Sequence, residues 1–370
     1  MEPGNRKGQT PGTGAPETPG QDKTKAQDQT RQVTTLLLSH REVHAYLPMA
    51  ECIEAMEGAF RSLTAGRSLV PLRTVIRLPD SPNAFAAMPA VVGSGTNAQI
   101  AAKIITVFPG NDATPFDSHI GVVLLFGADH GELLAIADAS SITAIRTAAV
   151  SGLATRLLAR PGSQCLALLG AGTLAMPHLE AVSAVRPINE VRVWSRSPAR
   201  SQEFAQRARE KRGVKVTVVP TAQQAVASAD VVCTITASRT PVLEGSWLSP
   251  GTHVNAVGAS LSSARELDTE AVRRARLFVD LRESAMNEAG DFLIPRSEGA
   301  IADDHILGEL GDLLAGLIVG RQSPDEITLF KSLGLAVEDV AAIRHVYEKA
   351  LAAGAGTRVT IGGLRSPDTR

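Results

Sequence analysis

Between residues 165 and 280, apolar strand-like runs alternate with helical stretches, and nothing else in the chain restricts its fold so severely. The order reads strand 165–169, helix 174–185, strand 191–194, helix 199–211, strand 214–219, helix 222–227 and strand 231–236. Strands 253–257 and 277–280 follow, on either side of a polar helix expected to start near Glu266. A strand that returns to its sheet through a helix does so by a right-handed crossover, which leaves neighbouring strands parallel. The expectation is a central doubly wound parallel sheet of Rossmann type.

The flanking segments read differently. A helix over 49–63 carries the apolar stripe Ile53, Met56, Phe60 and Leu63. Strands follow at 73–78, 84–88, 101–107, 121–126 and 133–137, then a long apolar helix over 142–158 that stops at Arg160-Pro161-Gly162. From about Leu310 the pattern returns to helices (338–351) and a last strand at 358–361. The fold class expected is α/β, with a Rossmann domain at 141–310 inserted in an α+β domain built from 33–140 and 311–365. Residues 1–32 contain no Leu, Ile, Val or Phe and are rich in Gly, Pro, Thr and Gln, so they are expected to form a disordered tail. They lack the apolar stretch of a signal peptide and the Arg- and Ser-rich pattern of a transit peptide.

Charge and cysteine content narrow the function classes. Lys and Arg number 37 against 38 Asp and Glu, so no basic excess suits the chain to nucleic acid. No apolar run approaches the roughly 18 residues that cross a bilayer. The three cysteines are far apart, which fits a reducing, cytoplasmic setting better than a disulfide framework.

The first strand of the alternation runs straight into Gly170-Ala171-Gly172-Thr173-Leu174-Ala175. A first Gly permits a tight turn, a second lets the backbone approach a pyrophosphate, and a small third residue allows close helix packing. The helix N-terminus then offers amides and dipole to the phosphates. This loop is expected to bind a dinucleotide. The second strand ends in Trp194-Ser195-Arg196-Ser197, with Arg200 nearby, where an NAD enzyme usually carries a carboxylate for the ribose hydroxyls. Arg196 would pair instead with a 2′-phosphate, so NADP(H) is expected to be preferred and NAD(H) remains possible.

Several longer stretches carry a resemblance. They are Pro71-Leu72-Arg73-Thr74, Met88-Pro89-Ala90, Lys103, residues 144–151 (Ala-Ile-Arg-Thr-Ala-Ala-Val-Ser), residues 253–260 (His-Val-Asn-Ala-Val-Gly-Ala-Ser) and Phe330-Lys331-Ser332-Leu333-Gly334. Taken in order from about 33 to 363, the chain resembles the ornithine cyclodeaminase/mu-crystallin family. The resemblance implies a homodimer whose outer segments form the dimerisation and substrate domain, and a small amino acid or cyclic imino acid as substrate. It places Arg73, Lys103 and Arg146 at the substrate carboxylate or the nicotinamide. It further implies coenzyme contacts at Ser118, His119, Thr236, Ala237, Val257 and Ser332, and a ligand contact at Glu288. Clustered cations suit such a substrate, because a carboxylate must be fixed with its α-carbon facing the hydride donor. Lys103 lies in the apolar run Ile100-Ala101-Ala102-Lys103-Ile104-Ile105, where desolvation lowers an amine's pKa and makes it a plausible proton donor.

One departure from the family pattern separates its activities. Where the cyclodeaminases carry carboxylates, before the Met-Pro pair and after the Asn-Ala-Val-Gly stretch, this chain has Ala86 and Ser260. Ring closure with ammonia release needs acids for a second, distal ammonium. The expected activity is therefore NAD(P)H-dependent reduction of a C=N bond next to a carboxylate, as in Δ1-pyrroline-2-carboxylate or Δ1-piperideine-2-carboxylate. Alternatives are a cyclodeaminase lyase, an alanine dehydrogenase, and a non-catalytic small-ligand binder. No metal is expected, since His40-Arg41-Glu42-Val43-His44 has its Glu displaced from the zinc-protease pattern and reads as the polar start of a helix.

Overall fold

The computed structural model of the protein describes residues 33–364. The tail expected over 1–32 and the last residues of the outer segment, 365–370, lie outside the described residues. In chain order the first half comprises β1 (Thr35–Leu38), α1 (His40–Tyr46), α2 (Met49–Thr64), β2 (Ser68–Leu69), β3 (Thr74–Arg77), β4 (Ala84–Val92), β5 (Gln99–Val107), β6 (His119–Phe126), β7 (Leu133–Asp138) and α3 (Ala139–Leu158). The second half opens with β8 (Cys165–Leu169), α4 (Ala175–Val185), β9 (Glu190–Trp194), α5 (Pro198–Arg212), β10 (Lys215–Val218), α6 (Ala222–Val226), β11 (Val231–Thr234) and β12 (His253–Ala256). It continues through α7 (Thr269–Arg274), β13 (Arg276–Val279), α8 (Arg282–Glu288), α9 (Gly290–Ser297), β14 (Ile306–Glu309), α10 (Leu310–Ala315), β15 (Thr328–Lys331), α11 (Ala336–Ala352) and β16 (Thr357–Val359).

The first sheet has the order β16-β1-β7-β6-β5-β4-β2, with β3 also on β4. Its long strands alternate with period two: Ala84, Ala86, Met88 and Ala90 of β4, Ala101, Lys103 and Ile105 of β5, and Val123 and Leu125 of β6 are buried. They face α2, α3 and α11, whose Met56, Phe60, Ile142, Val150, Val340 and Ile343 complete one core. Helix α3 starts where Asp138 accepts from the backbone N–H of Ser141 at 2.8 Å, an N-cap that satisfies one of the helix's otherwise unpaired donors. On the opposite face of the sheet, Phe85 and Ile120 are exposed.

The second sheet is parallel throughout, in the order β10-β9-β8-β11-β12-β15-β13-β14. Every residue of β8 is buried, as a strand covered on both faces requires. One face carries the cluster around Leu166, Leu179, Val193 and Phe204 under α4 and α5, and the other Leu169, Val226, Val254 and Phe292 under α6, α7 and α9.

Three sequence expectations change here. Strand β15, read with the outer segment, lies in the second sheet between β12 and β13. Strand β11 stops at Thr234, two residues short. The polar helix placed near Glu266 starts at Thr269, capped by Asp268, whose carboxylate accepts from Ala271 N at 2.7 Å. Glu266 itself is wholly buried in the preceding loop, because its carboxylate is needed inside the protein.

Candidate active site

The direction of strand order reverses at β8, so a crevice opens beyond the carboxyl ends of β8 and β11, where doubly wound sheets bind their ligands. Gly170 occupies that edge with φ +121°, and a β-carbon there would stand 2.8 Å from the Ile235 carbonyl oxygen. Its N–H donates to the Trp194 carbonyl at 2.8 Å, tying the turn to β9. Ala171 is buried, Gly172 and Thr173 are exposed, and Leu174 leads into α4 with no side-chain cap on the first amides. The backbone therefore supplies a glycine cradle and open helix donors, which fit a pyrophosphate. At the end of β9, Ser195 donates to the Ser197 carbonyl at 2.8 Å and Ser197 caps α5. Arg196 and Arg200 are exposed on the same turn.

The ends of β11 and β12 and the loops after them converge on Glu266. Its Oε1 accepts from Thr236 N and Thr236 Oγ1, both at 2.7 Å. Its Oε2 accepts from Gly258 N at 2.7 Å, Thr234 Oγ1 at 2.9 Å and Ala259 N at 3.2 Å. Asp291 accepts from the N–H groups of Glu266 and Leu267 and pairs with Lys331 at 3.0 Å. Lys331 donates in turn to the Ala259 and Ala256 carbonyls. Burial, with Asp291 beside it, holds the Glu266 carboxyl above its usual range, against the pull of Lys331. Thr236, Ala237 and Val257 thus stand on a braced edge, and Ser332 N donates to the Ala256 carbonyl at 3.0 Å.

A second buried charge cluster ties β5 of the first sheet to α3 and α11. Lys103 Nζ lies 2.9 Å from Asp339 Oδ2 and 3.1 Å from Oδ1. Arg146 places Nε 3.0 Å from Asp339 Oδ1 and Nη1 2.6 Å from Glu338 Oε2. All four side chains are at most 5% exposed. Burial, with Arg146 nearby, lowers Lys103 to about 8 although Asp339 resists, and burial lifts Glu338 to about 7 against Arg146. For Arg146, burial is overcome by Asp339 and Glu338, which raise its pKa.

The loop after β15 abuts these cations. A β-carbon on Gly334 (φ +79°) would stand 2.5 Å from Arg146 Nη1. Arg73 reaches the same loop, donating from Nη2 to the Leu333 carbonyl at 3.0 Å and the Gly334 carbonyl at 2.9 Å, while its Nε pairs with Glu288 at 3.1 Å. Asp280, past the end of β13, fixes the loop by accepting from the Leu333 and Gly334 N–H groups. His119 stands at the mouth of the site with Nδ1 3.0 Å from Ser118 Oγ. Desolvation, with Lys103 nearby, depresses the imidazole's pKa.

The structure thus brings Arg146 and Arg73 together at Gly334, with Lys103 sharing Asp339 with Arg146 and Glu288 paired to Arg73. Arg196 and Arg200 stand apart, on the β9 turn. Ala86 is buried opposite Ile105, and Ser260 is exposed. The sequence reading missed Glu338, Asp339, Asp280, Glu266 and Lys331. Two adjacent acids inside the apolar stretch 335–343 were the available signal for the first pair. Among the described residues, no group of three or more His, Cys, Asp or Glu is placed to hold a metal ion.

Comparison with known proteins follows the same lines. The sequence profile of the ornithine cyclodeaminase/mu-crystallin family matches residues 33–354. Ketimine reductase mu-crystallin of Mus musculus is 38% identical over 315 residues, which are 84% of this chain and 96% of that protein. The solved Δ1-pyrroline-2-carboxylate reductase of Thermococcus litoralis, in complex with NADH and L-proline, superposes with TM-score 0.86 at 39% identity, covering 88% of this chain and all of that one. An archaeal alanine dehydrogenase dimer with bound NAD superposes with TM-score 0.83 at 33% identity, covering 89% of this chain and 100% of that chain.

Proposed function

This chain belongs to the ornithine cyclodeaminase/mu-crystallin family, and from that premise we propose that it is an NAD(P)H-dependent reductase of a C=N bond adjacent to a carboxylate. The natural substrate class is a cyclic ketimine such as Δ1-pyrroline-2-carboxylate or Δ1-piperideine-2-carboxylate. The observation that carries the reading is the meeting of Arg146 and Arg73 at Gly334, on the carboxyl edge of the dinucleotide-type sheet, with Lys103 joined to Arg146 through their shared Asp339. Lyase chemistry is disfavoured by Ala86 and Ser260, which leave those two positions without an acid for a distal ammonium.

A reduced nicotinamide, when bound, supplies the hydride. Gly170–Leu174 and the first turn of α4 hold the pyrophosphate, and the Glu266-braced loops at Thr236, Ala237 and Val257, with Ser332, Ser118 and His119, flank the ring end. Ser195, Arg196, Ser197 and Arg200 face the adenosine ribose and, having no carboxylate, favour NADPH while admitting NADH. Arg73 and Arg146 orient the substrate carboxylate and Glu288 keeps Arg73 in place. Lys103, held near 8, is cationic at neutral pH and supplies a proton toward the imine nitrogen. Substrate contacts come from Arg73 and Lys103 of 33–140 together with Arg146, and coenzyme contacts chiefly from 141–310. The exposed face of the first sheet, with Phe85 and Ile120, suits a second copy of this chain, and the archaeal alanine dehydrogenase neighbour is a dimer. No helix among the described residues is long and apolar enough to cross a membrane, and three buried unpaired cysteines fit a cytoplasmic setting.

The test is reduced-nicotinamide absorbance with a panel of cyclic imines, pyruvate plus ammonia, and ornithine, each with NADH and NADPH. Oxidation of NADPH by a cyclic imine is expected. Ammonia release from ornithine without net coenzyme turnover would replace this reading with the lyase.

A further inference from the structure

Every cation of the candidate site already has an acid beside it. Lys103 and Arg146 share Asp339, Arg146 also holds Glu338, and Arg73 holds Glu288. Asp280 adds a fourth carboxyl, within electrostatic reach of both Arg73 and Glu338. Four carboxylates therefore face three cations before any ligand arrives. An incoming carboxylate would find no spare positive charge, and an uncompensated charge in a dry site is strongly unfavourable.

We propose that Glu338 takes up a proton from solvent when an anionic substrate binds, so that Arg146 turns from Glu338 to the ligand and the site captures carboxylate and proton together. This inference rests on the reductase reading and adds how that site meets the charge of its substrate.

The hydrogen-bond pattern singles out Glu338 among the four acids. Asp339 has cations at both oxygens. Burial raises the Asp280 carboxyl, but it accepts from three backbone N–H groups, of Leu281, Leu333 and Gly334, which oppose that rise where Glu338 has only one. Glu288 is partly open to solvent and can be screened. Glu338 has one cation, Arg146, and one amide, Leu335 N at 2.9 Å, and is wholly buried. The charged and titratable groups around it are Arg146 on α3, Lys103 on β5, Asp280 after β13, Asp339 on its own helix and Cys52 on α2. Burial already holds Glu338 near neutrality, at about 7. A second anion on Arg146 removes the one close cation that keeps it ionised. A small cleft lined by Arg73, Met88, Gly334, Leu335 and Ala336 opens beside it.

The experiment titrates the full-length protein, saturated with NADPH, whose nicotinamide ring is neutral, with pyrrole-2-carboxylate, a flat ring acid that offers no imine to reduce. Calorimetry in two buffers of different ionisation enthalpy, near pH ~7.5 where Lys103 is still largely charged, reads the protons exchanged. Uptake of most of one proton per ligand is expected, with Kd weakening toward about tenfold per pH unit above about 7. E338Q should bind the probe with almost no uptake and a nearly flat Kd up to about pH 7.5, below the titration of Lys103. If E338Q does not fold, infrared difference spectra of the unaltered protein should show a protonated-carboxyl band appear on binding. Binding without proton uptake, uptake retained in E338Q but lost in K103M, absence of that band, or failure of the unaltered protein to bind the probe would each overturn the proposal. Imine turnover measured on the same preparation separates the two readings. Turnover without linked uptake sinks only this one, and linked uptake without turnover sinks only the reductase.

Discussion

The two buried charge networks of this protein are made of the same residue types and behave differently. Around Glu266, charge meets backbone: one carboxylate accepts five hydrogen bonds, and Lys331 is held by Asp291 and two carbonyls. Around Asp339, charge meets chiefly charge: Lys103, Arg146, Glu338 and Asp339 hold one another. A network closed by main-chain groups cannot exchange partners without unmaking the loops it ties. A network closed by side-chain ions can trade one ion for a ligand of the same sign. Under the proposed function, the first braces the coenzyme edge and the second receives the substrate.

The substitution that breaks this contrast most sharply is Lys103→Met. It should lower kcat/KM for a cyclic imine about a thousandfold, the scale of losing a general acid together with local charge stabilisation, while NADPH affinity is kept. Steady-state rates and coenzyme titration check it, and equal loss in both would merge the two networks. Arg73→Ala and Glu266→Gln form the next pair. Loss of Arg73 should raise the imine KM about tenfold to a hundredfold and leave the coenzyme KM alone. Glu266→Gln, which sets an amide donor against backbone donors, should raise the coenzyme KM about tenfold and lower the melting temperature, since unsatisfied buried groups cost about 1–3 kcal/mol each. If the two KM effects do not separate, the brace is not confined to the coenzyme.

The pH dependence sharpens the same contrast. The Lys103 pKa is depressed to about 8, and the proposed proton donor is its charged form, so kcat/KM should be retained at neutral pH and fall as pH rises through about 8. A flat profile through that range would remove Lys103 as proton donor. The smallest effect expected is at the β9 turn: Arg196→Ala should raise the NADPH KM several-fold and leave that for NADH unchanged.

Much of this was legible in the sequence. Strand β8 and the turn at Gly170 follow from a buried apolar run meeting glycines, which local pattern reveals. Arg73, Lys103 and Arg146 were named through the family resemblance, and in the structure Lys103 and Arg146 share Asp339 while Arg73 and Arg146 meet the loop at Gly334. Glu338 and Asp339 escaped because acids in the first turn of a helix look like ordinary dipole partners. Glu266 escaped for a related reason, its position before α7 resembling a helix start.

By itself the sequence determined the alternation that makes the second sheet parallel, the glycine cradle at its edge, and the supply of three cations. These are local properties, set by period, backbone freedom and residue type. Only the tertiary structure decided that the cations are already matched by acids, because Asp339 reaches Lys103 across 236 residues and Arg146 across 193. It alone placed β15 between β12 and β13. Pairings over such separations depend on how layers stack around shared cores, and no short-range pattern in the chain encodes them.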